Sequence, residues 1–322
     1  MPEYILGARG HDYGSGAVKD IFAQIKAGGW DCTQLAFKKL AAGVSRYEDV
    51  TPELVKETQE AMRQVPMEVA VLGTYVELGI LDEAKRQRDV ADFISQIAVC
   101  KALNAGCMGS ETTHFVRQPA GFDLADAGRA LRKSLEAILP EAERQGVIVG
   151  LEPVWCHTMN SVEATRQVLD DMQSPNLRII FDIANLMAPE WVDRQEVLYG
   201  HAMESWGDQV VAIHFKGERF DGKTFRSCRL EESVVDYAAA FRAMRGLPQE
   251  RIPVLREEAV PVIAQKEGKM GLIMPDGFDT VVADFLYDDI SLRDEYPYFE
   301  AVKEGQEGYI DSEGRFTGKV QQ

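Results

Sequence analysis

Apolar runs of strand length recur along the chain at near-regular intervals, and this recurrence constrains the fold more than any single motif. YILGARG (4–10), WDCTQLAF (30–37), MEVAVLG (67–73), AGCMGSE (105–111), VIVGLEP (147–153), LRIIFDI (177–183), VVAIHFK (210–216) and IPVLREE (252–258) make eight such runs. Between them lie helical patterns. Residues 18–29 end in glycines, and 51–65 open with a threonine before a proline and an early acid. Longer patterns follow at 83–104 and 124–145, then SVEATRQVLDDM (161–172), 190–206 and 231–246. Strands alternating with helices imply parallel pairing through crossover connections. Eight units at this spacing predict an α/β fold, the (β/α)8 TIM barrel. The rival, a doubly wound open sheet, commonly carries a glycine-rich βα turn, and neither GxGxxG nor a P-loop is present. A single domain is expected, with a barrel core over residues 1–258 and a C-terminal segment, 259–322, that completes it and extends past it.

Charge and composition narrow the function classes. The 52 acidic and 35 basic side chains leave a net charge of −17. So negative a surface repels a phosphate backbone, which argues against nucleic acid as a partner. No apolar run approaches the about 18 residues of a membrane span. MPEYILGARGHDYG at the N-terminus has neither a basic leader nor a long apolar stretch. Five cysteines (Cys32, Cys100, Cys107, Cys156, Cys228) are scattered without CxxC spacing. This fits a reducing compartment better than a disulfide framework or a thiolate zinc site. A cytoplasmic protein acting on a small molecule, without membrane contact, is expected.

The last four runs end in groups that can bind cations. Glu152 ends the fifth, Asp182 the sixth and His214 sits near the end of the seventh, while the eighth ends in Glu257 and Glu258. Barrel enzymes place their chemistry at the C-terminal strand ends, and adjacent strands lie about 4.8 Å apart, so these groups can converge. Taken singly, each acid has an ordinary reading as a cap or loop residue, and His214 as a core histidine. Their occurrence on four successive strands is the signal. Three carboxylates and one imidazole form a cluster that a divalent cation would relieve. Oxygen-rich ligation with one nitrogen suits Mn²⁺, Mg²⁺ or Co²⁺. Alternation bears on the fourth ligand: Glu257 facing inward turns Arg256 away, whereas Glu258 facing inward brings Arg256 beside the cation. Glu257 is favoured.

Segments 147–161, 178–186, 210–218 and 252–258 resemble the metal-binding strand ends of the xylose-isomerase-like TIM-barrel superfamily. This group of sugar phosphate isomerases and epimerases includes ketose 3-epimerases, hydroxypyruvate isomerase and inosose dehydratase. The similarity runs in element order along nearly all of 1–258. It implies that Glu152, Asp182, His214 and Glu257 bind one divalent metal, Mn²⁺ first, with Mg²⁺ or Co²⁺ as alternatives. Asn185 fills the last place of a D-x-x-N pattern near substrate, and His214-Phe-Lys216 resembles the H-x-K segment of the family. The implied activity is a metal-dependent sugar isomerase or epimerase acting on a ketose or related polyol-ketone through an enediolate, with Glu152 and Glu257 moving the proton. Two departures stand out. CRLEESVVDY (228–237) replaces a glycine-containing turn, and the residues after Glu258 do not resemble a short final helix.

Around the expected mouth, His11 and Asp12 end the first strand, Trp30 begins the second, and Glu111 ends the fourth with His114 and Phe115 nearby; Trp155 and His157 follow the fifth. Aromatic faces and polar groups together make a carbohydrate pocket. His11, Trp30, Glu111, His114, Trp155, Asn185 and Lys216 are therefore candidate substrate contacts, although Trp30 and Phe115 serve equally well as core. His157, five residues beyond Glu152 in an overhanging loop, is a candidate acid–base group. Lys216 fits either an anion contact or an ion pair. With no phosphate cradle, an unphosphorylated substrate is preferred.

Isomerisation, epimerisation and dehydration would share this one site. The runner-up is a metal-dependent lyase on the same barrel, either an inosose dehydratase or the catalytic subunit of a C-glycoside deglycosidase. A nuclease of the AP-endonuclease type needs more histidines than the five present and a basic face. A non-enzymatic binding protein is disfavoured by a full ligand set. A homo-oligomer is expected, with a hetero-subunit as the alternative.

Overall fold

A computed structural model describes residues 2–115, 122–257, 262–274, 280–292, 299–310 and 314–319 of the chain. Eight parallel strands close into a barrel: Glu3–Arg9, Cys32–Leu35, Glu68–Gly73, Cys107–Glu111, Val149–Glu152, Leu177–Asp182, Val210–Phe215 and Arg251–Arg256. Each pairs with its neighbours in chain order, and the eighth pairs with the first. All eight expected runs form strands, most of them trimmed by one or two residues at an end, while the first and eighth begin one residue earlier, at Glu3 and Arg251.

Side-chain alternation sorts these strands into two layers. Inward residues such as Cys32, Cys107, Ile180, Ala212 and Leu255 form a small apolar plug. Where the ring is tightest, glycine is required: a Cβ on Gly150 would stand 2.9 Å from Ile180 Cγ1, and one on Gly109 would stand 2.9 Å from Ile180 Cδ1. Outward residues pack under the helices, burying Phe22, Phe93, Leu131, Phe181, Tyr199 and Trp206 in the larger core.

The helices start where capping chemistry permits. Thr51 accepts from the Leu54 N–H, Ser161 from Ala164, Asp82 from Lys85 and Asp123 from Asp126, and Gly146 ends its helix at φ +72°. Two helices are shorter than the pattern predicts. Pro189–Trp191 makes a 3-10 turn, so that helix runs Gln195–Trp206. The other runs Tyr237–Met244, with Asp236 capping Ala239 N–H. No helix among the described residues is long and apolar enough to cross a membrane.

The chain divides into two compact units, Met1–Arg226 with Leu230–Glu257, and Ser227–Arg229 with Glu258–Gln322. All eight barrel strands lie before residue 257, so the C-terminal segment supplies no barrel strand among its described residues. It forms two antiparallel sheets instead, of three strands between Val262 and Tyr287 and four between Asp289 and Gly318. Tight turns at Glu267–Gly268 and Glu304–Gly305 have positive φ at both positions, the hairpin geometry that matches strand twist. Leu272, Tyr287, Ile290, Phe299 and Ile310 make a separate small core.

Candidate functional site

The same alternation that builds the plug delivers the site. Two residues beyond Gly150, Ile180, Ala212 and Leu255 come Glu152, Asp182, His214 and Glu257, on the same inward face at the C-terminal end of the barrel. Register brings them level: Asp182 pairs with His214, and Leu255 with His214. Glu257 follows the eighth strand, its N–H donating to the Phe215 carbonyl at 2.9 Å. All four are buried, with exposures of 4%, 0%, 2% and 8% in chain order. Glu258 lies outside the described residues.

His214 is the hub. Its Nδ1 lies 2.9 Å from Glu152 Oε2 and 3.3 Å from Glu257 Oε1, at ion-pair distance but without hydrogen-bond geometry. Glu152 Oε1 accepts from Asn185 Nδ2 at 2.5 Å. Asp182 Oδ1 accepts the N–H groups of Ala184 and Asn185 at 2.8 and 2.7 Å. Its Oδ2 is buried with no hydrogen bond, as are both ring nitrogens of His214. Glu152, Asp182 and His214 each offer a ligand atom, all within 4.8 Å of one another. Buried polar atoms are normally satisfied. Buried atoms that lack hydrogen bonds and lie this close together are the donor set a divalent cation would use.

Burial and mutual charge set the protonation of this cluster. Burial pushes Glu152 up to about 7, against the pull of His214. For His214 burial acts downward, but Glu152 and Glu257 outweigh it and raise the imidazole to about 9. Asp182 is raised by burial, with Lys216 opposing. Glu257 goes the other way: burial would raise it, yet Arg9, Lys216 and His214 hold it down at about 2.

Most of the expected surrounding residues gather at this mouth. Glu111 pairs in register with Glu152. His157 is 3% exposed, its Nε2 lying 3.7 Å from Glu111 Oε2 and its ring 5.0 Å from that of His114. The Trp155 N–H donates to the Asn185 carbonyl at 2.8 Å, and its indole packs edge-on against Phe225. His11 sits in a 3-10 turn after the first strand, both ring nitrogens buried without a hydrogen bond. Burial and the nearby Arg9 lower it well below the usual imidazole range. Lys216 is tied into the cluster, with Nζ 3.5 Å from Asp182, 3.8 Å from Glu257 and 3.9 Å from Glu218. The ion-paired reading of Lys216 therefore describes it.

Trp30 is not brought to the site. The second strand begins at Cys32, so Trp30 lies before its N-terminal end, away from the mouth. There it packs on the outer core and donates from Nε1 to Tyr13 Oη at 2.7 Å. Its place among substrate contacts is corrected to a packing role.

One residue at the centre went unread in the sequence. Arg9 is buried at the end of the first strand, donating from Nη1 to Glu257 Oε2 and from Nε to Asp12 Oδ1, both at 2.9 Å. Inward alternation from Gly7 could have placed it there. Gln34 and Tyr75, hydrogen-bonded to each other at 2.6 Å, were likewise unread.

Residues 22–255 match the family model described as xylose isomerase-like TIM barrel. No curated protein matches the chain. Solved structures share the fold. A D-tagatose 3-epimerase-like protein superposes with a TM-score of 0.64 at 13% identity, covering 79% of this chain and 90% of its own. The 3-keto-D-glucoside 4-epimerase of E. coli gives 0.61 at 16% identity, covering 80% and 94%. The IOLI protein with a bound zinc atom gives 0.60 at 13% identity, covering 78% and 88%.

Proposed function

We propose, for a chain that belongs to the xylose isomerase-like TIM barrel family, that it is a divalent-metal-dependent isomerase or epimerase of a ketose or related keto sugar. The observation that carries this is the convergence of Glu152, Asp182 and His214, with Asp182 Oδ2 and both ring nitrogens of His214 buried and without hydrogen bonds. Glu257, with one oxygen 3.3 Å from His214, completes the set. Mn²⁺ suits three carboxylates and one imidazole best, with Mg²⁺ or Co²⁺ as alternatives. When bound, the cation supplies Lewis-acid polarisation of a carbonyl and its neighbouring hydroxyl.

The protein's own groups supply the rest. Glu152 and Glu257 flank His214, and a carbon seated between the two carboxylates can lose a proton to one and regain it from the other. Asn185 fixes the Glu152 carboxylate through its side-chain amide. Arg9 fixes Glu257 in the same way. Trp155, His11 and Glu111 provide a ring face and polar groups for a sugar. The likeness to a 3-keto-D-glucoside 4-epimerase and to a D-tagatose 3-epimerase-like protein supports this substrate class.

A second reading, a lyase on the same barrel, is favoured by one observation. The described residues after the eighth strand form antiparallel sheets where a final helix is usual. The test is to load the full chain with Mn²⁺, incubate it with a panel of ketoses, inososes and C-glycosides in D₂O, and follow products by NMR. Deuterium uptake at a carbon beside a carbonyl, abolished by Glu152→Gln, is expected. Loss of water or aglycone would select the lyase, and neither exchange nor elimination with any member of the panel would overturn both.

A further inference from the structure

A second group of ligating side chains stands beside the first, and the proposed reaction leaves its one sulfur without a task. His114, Cys156 and His157 each offer a ligand atom, all within 4.8 Å of one another; the latter two are buried and His114 is half-buried. The loops after the fourth and fifth strands hold them in place. His114 and His157 form an isolated antiparallel bridge. Phe115 N–H donates to the Cys156 carbonyl at 3.0 Å and Thr158 N–H to the Thr113 carbonyl at 2.9 Å. Glu111 Oε2 is 3.7 Å from His157 Nε2.

We infer that His114, Cys156 and His157 form a site for a thiophilic divalent cation of the Zn²⁺ type, with Glu111 beside His157. Two imidazoles and a thiolate match the preference of Zn²⁺, whereas Mn²⁺ and Mg²⁺ favour the oxygen-rich cluster alongside. Geometry permits it. In a tetrahedral zinc site the ligand atoms stand about 3.5 Å apart. From within 4.8 Å they need to close by little more than about 1 Å. Rotation of three loop side chains supplies that. The cysteine spacing gives no hint of such a site, because it takes the fold to bring His114 to the adjacent Cys156 and His157. The ion would tie together the two loops beside Glu152, and it gives His157 a ligand's role at the mouth in place of proton transfer.

The thiolate provides a signature that the oxygen site cannot produce. Full-length protein, stripped by chelation, is titrated with Co²⁺ while the near-ultraviolet thiolate-to-cobalt charge-transfer band is recorded. The band is expected in the wild type and in Asp182→Asn, which removes the oxygen-rich site, and it should bleach when Zn²⁺ is added. It should vanish in Cys156→Ser. His114→Ala, at a half-buried position that tolerates change, should weaken Co²⁺ binding by at least about tenfold. Absence of the band in the wild type, its persistence in Cys156→Ser, or unchanged affinity in His114→Ala would each overturn the site. None of these outcomes touches the proposal for Glu152, Asp182, His214 and Glu257.

Discussion

Arg9 shows how much one buried side chain can settle. Its guanidinium contacts both Asp12 and Glu257 with side-chain exposures of 10% or less throughout. Removing it would take from Glu257 its hydrogen-bonded guanidinium and leave only the longer ion pairs to Lys216 and His214; breaking a buried pair typically costs about 3–5 kcal/mol. Arg9→Met should therefore lower the unfolding free energy of chelated protein, measured by urea titration, by up to that order, and an unchanged value would show that Glu257 is held by other groups. The cluster also makes a pH prediction. Glu152 and His214 are raised to about 7 and about 9 without an ion. Both lie above the unfolded values of about 4.3 and 6.5, so their stabilisation is full below those values and is lost as pH rises through 7 and then 9. Glu257, held down at about 2, loses its contribution only in strong acid. Chelated protein should thus melt lower at about pH 9 than at about pH 6, and added Mn²⁺, which needs deprotonated ligands, should raise Tm more at the higher pH. Equal melting at both pH values would contradict the assignment.

At the level of elements, the strand ends were the legible part. Glu152, Asp182, His214 and Glu257 could be read because an acid or histidine closing an apolar run is conspicuous. Arg9, Gln34 and Tyr75 could not, since their positions depend on inward alternation and on partners far away in the chain. Trp30 belongs to the apolar run but lies two residues before the strand begins at Cys32, because apolar character alone does not mark where hydrogen bonding begins. Helix starts at 195 and 237 were hidden for a similar reason: caps and 3-10 turns, not periodicity, set them. The strands also carry a packing prediction. Gly150 lies directly beneath Glu152, and a methyl there would press on Ile180 beneath Asp182. Gly150→Ala should cost about 1–3 kcal/mol and weaken metal binding, with partial recovery in the double variant carrying Ile180→Val. Full stability in the single variant, measured by urea unfolding, would mean that the plug is looser than the contacts imply.

For the whole molecule, regular alternation of strand and helix made the barrel readable, whereas the C-terminal sheets had no counterpart in the pattern. Residues such as those in KEGKMGLIM supply a tight Glu267–Gly268 turn between short strands, a local signal without the long period of the barrel. Because every barrel strand and all four proposed ligands precede residue 258, a chain ending at residue 258 should fold and bind Mn²⁺. Failure to bind would give the C-terminal unit a part in building the site. The central claim is that four strand ends hold one hard divalent cation. Electron paramagnetic resonance of Mn²⁺ titrated into stripped full-length protein tests it most directly: the free-ion signal should be suppressed up to one equivalent per chain in the wild type and appear from the first addition in Asp182→Asn and His214→Ala. A signal that rises identically in wild type and both variants would contradict it.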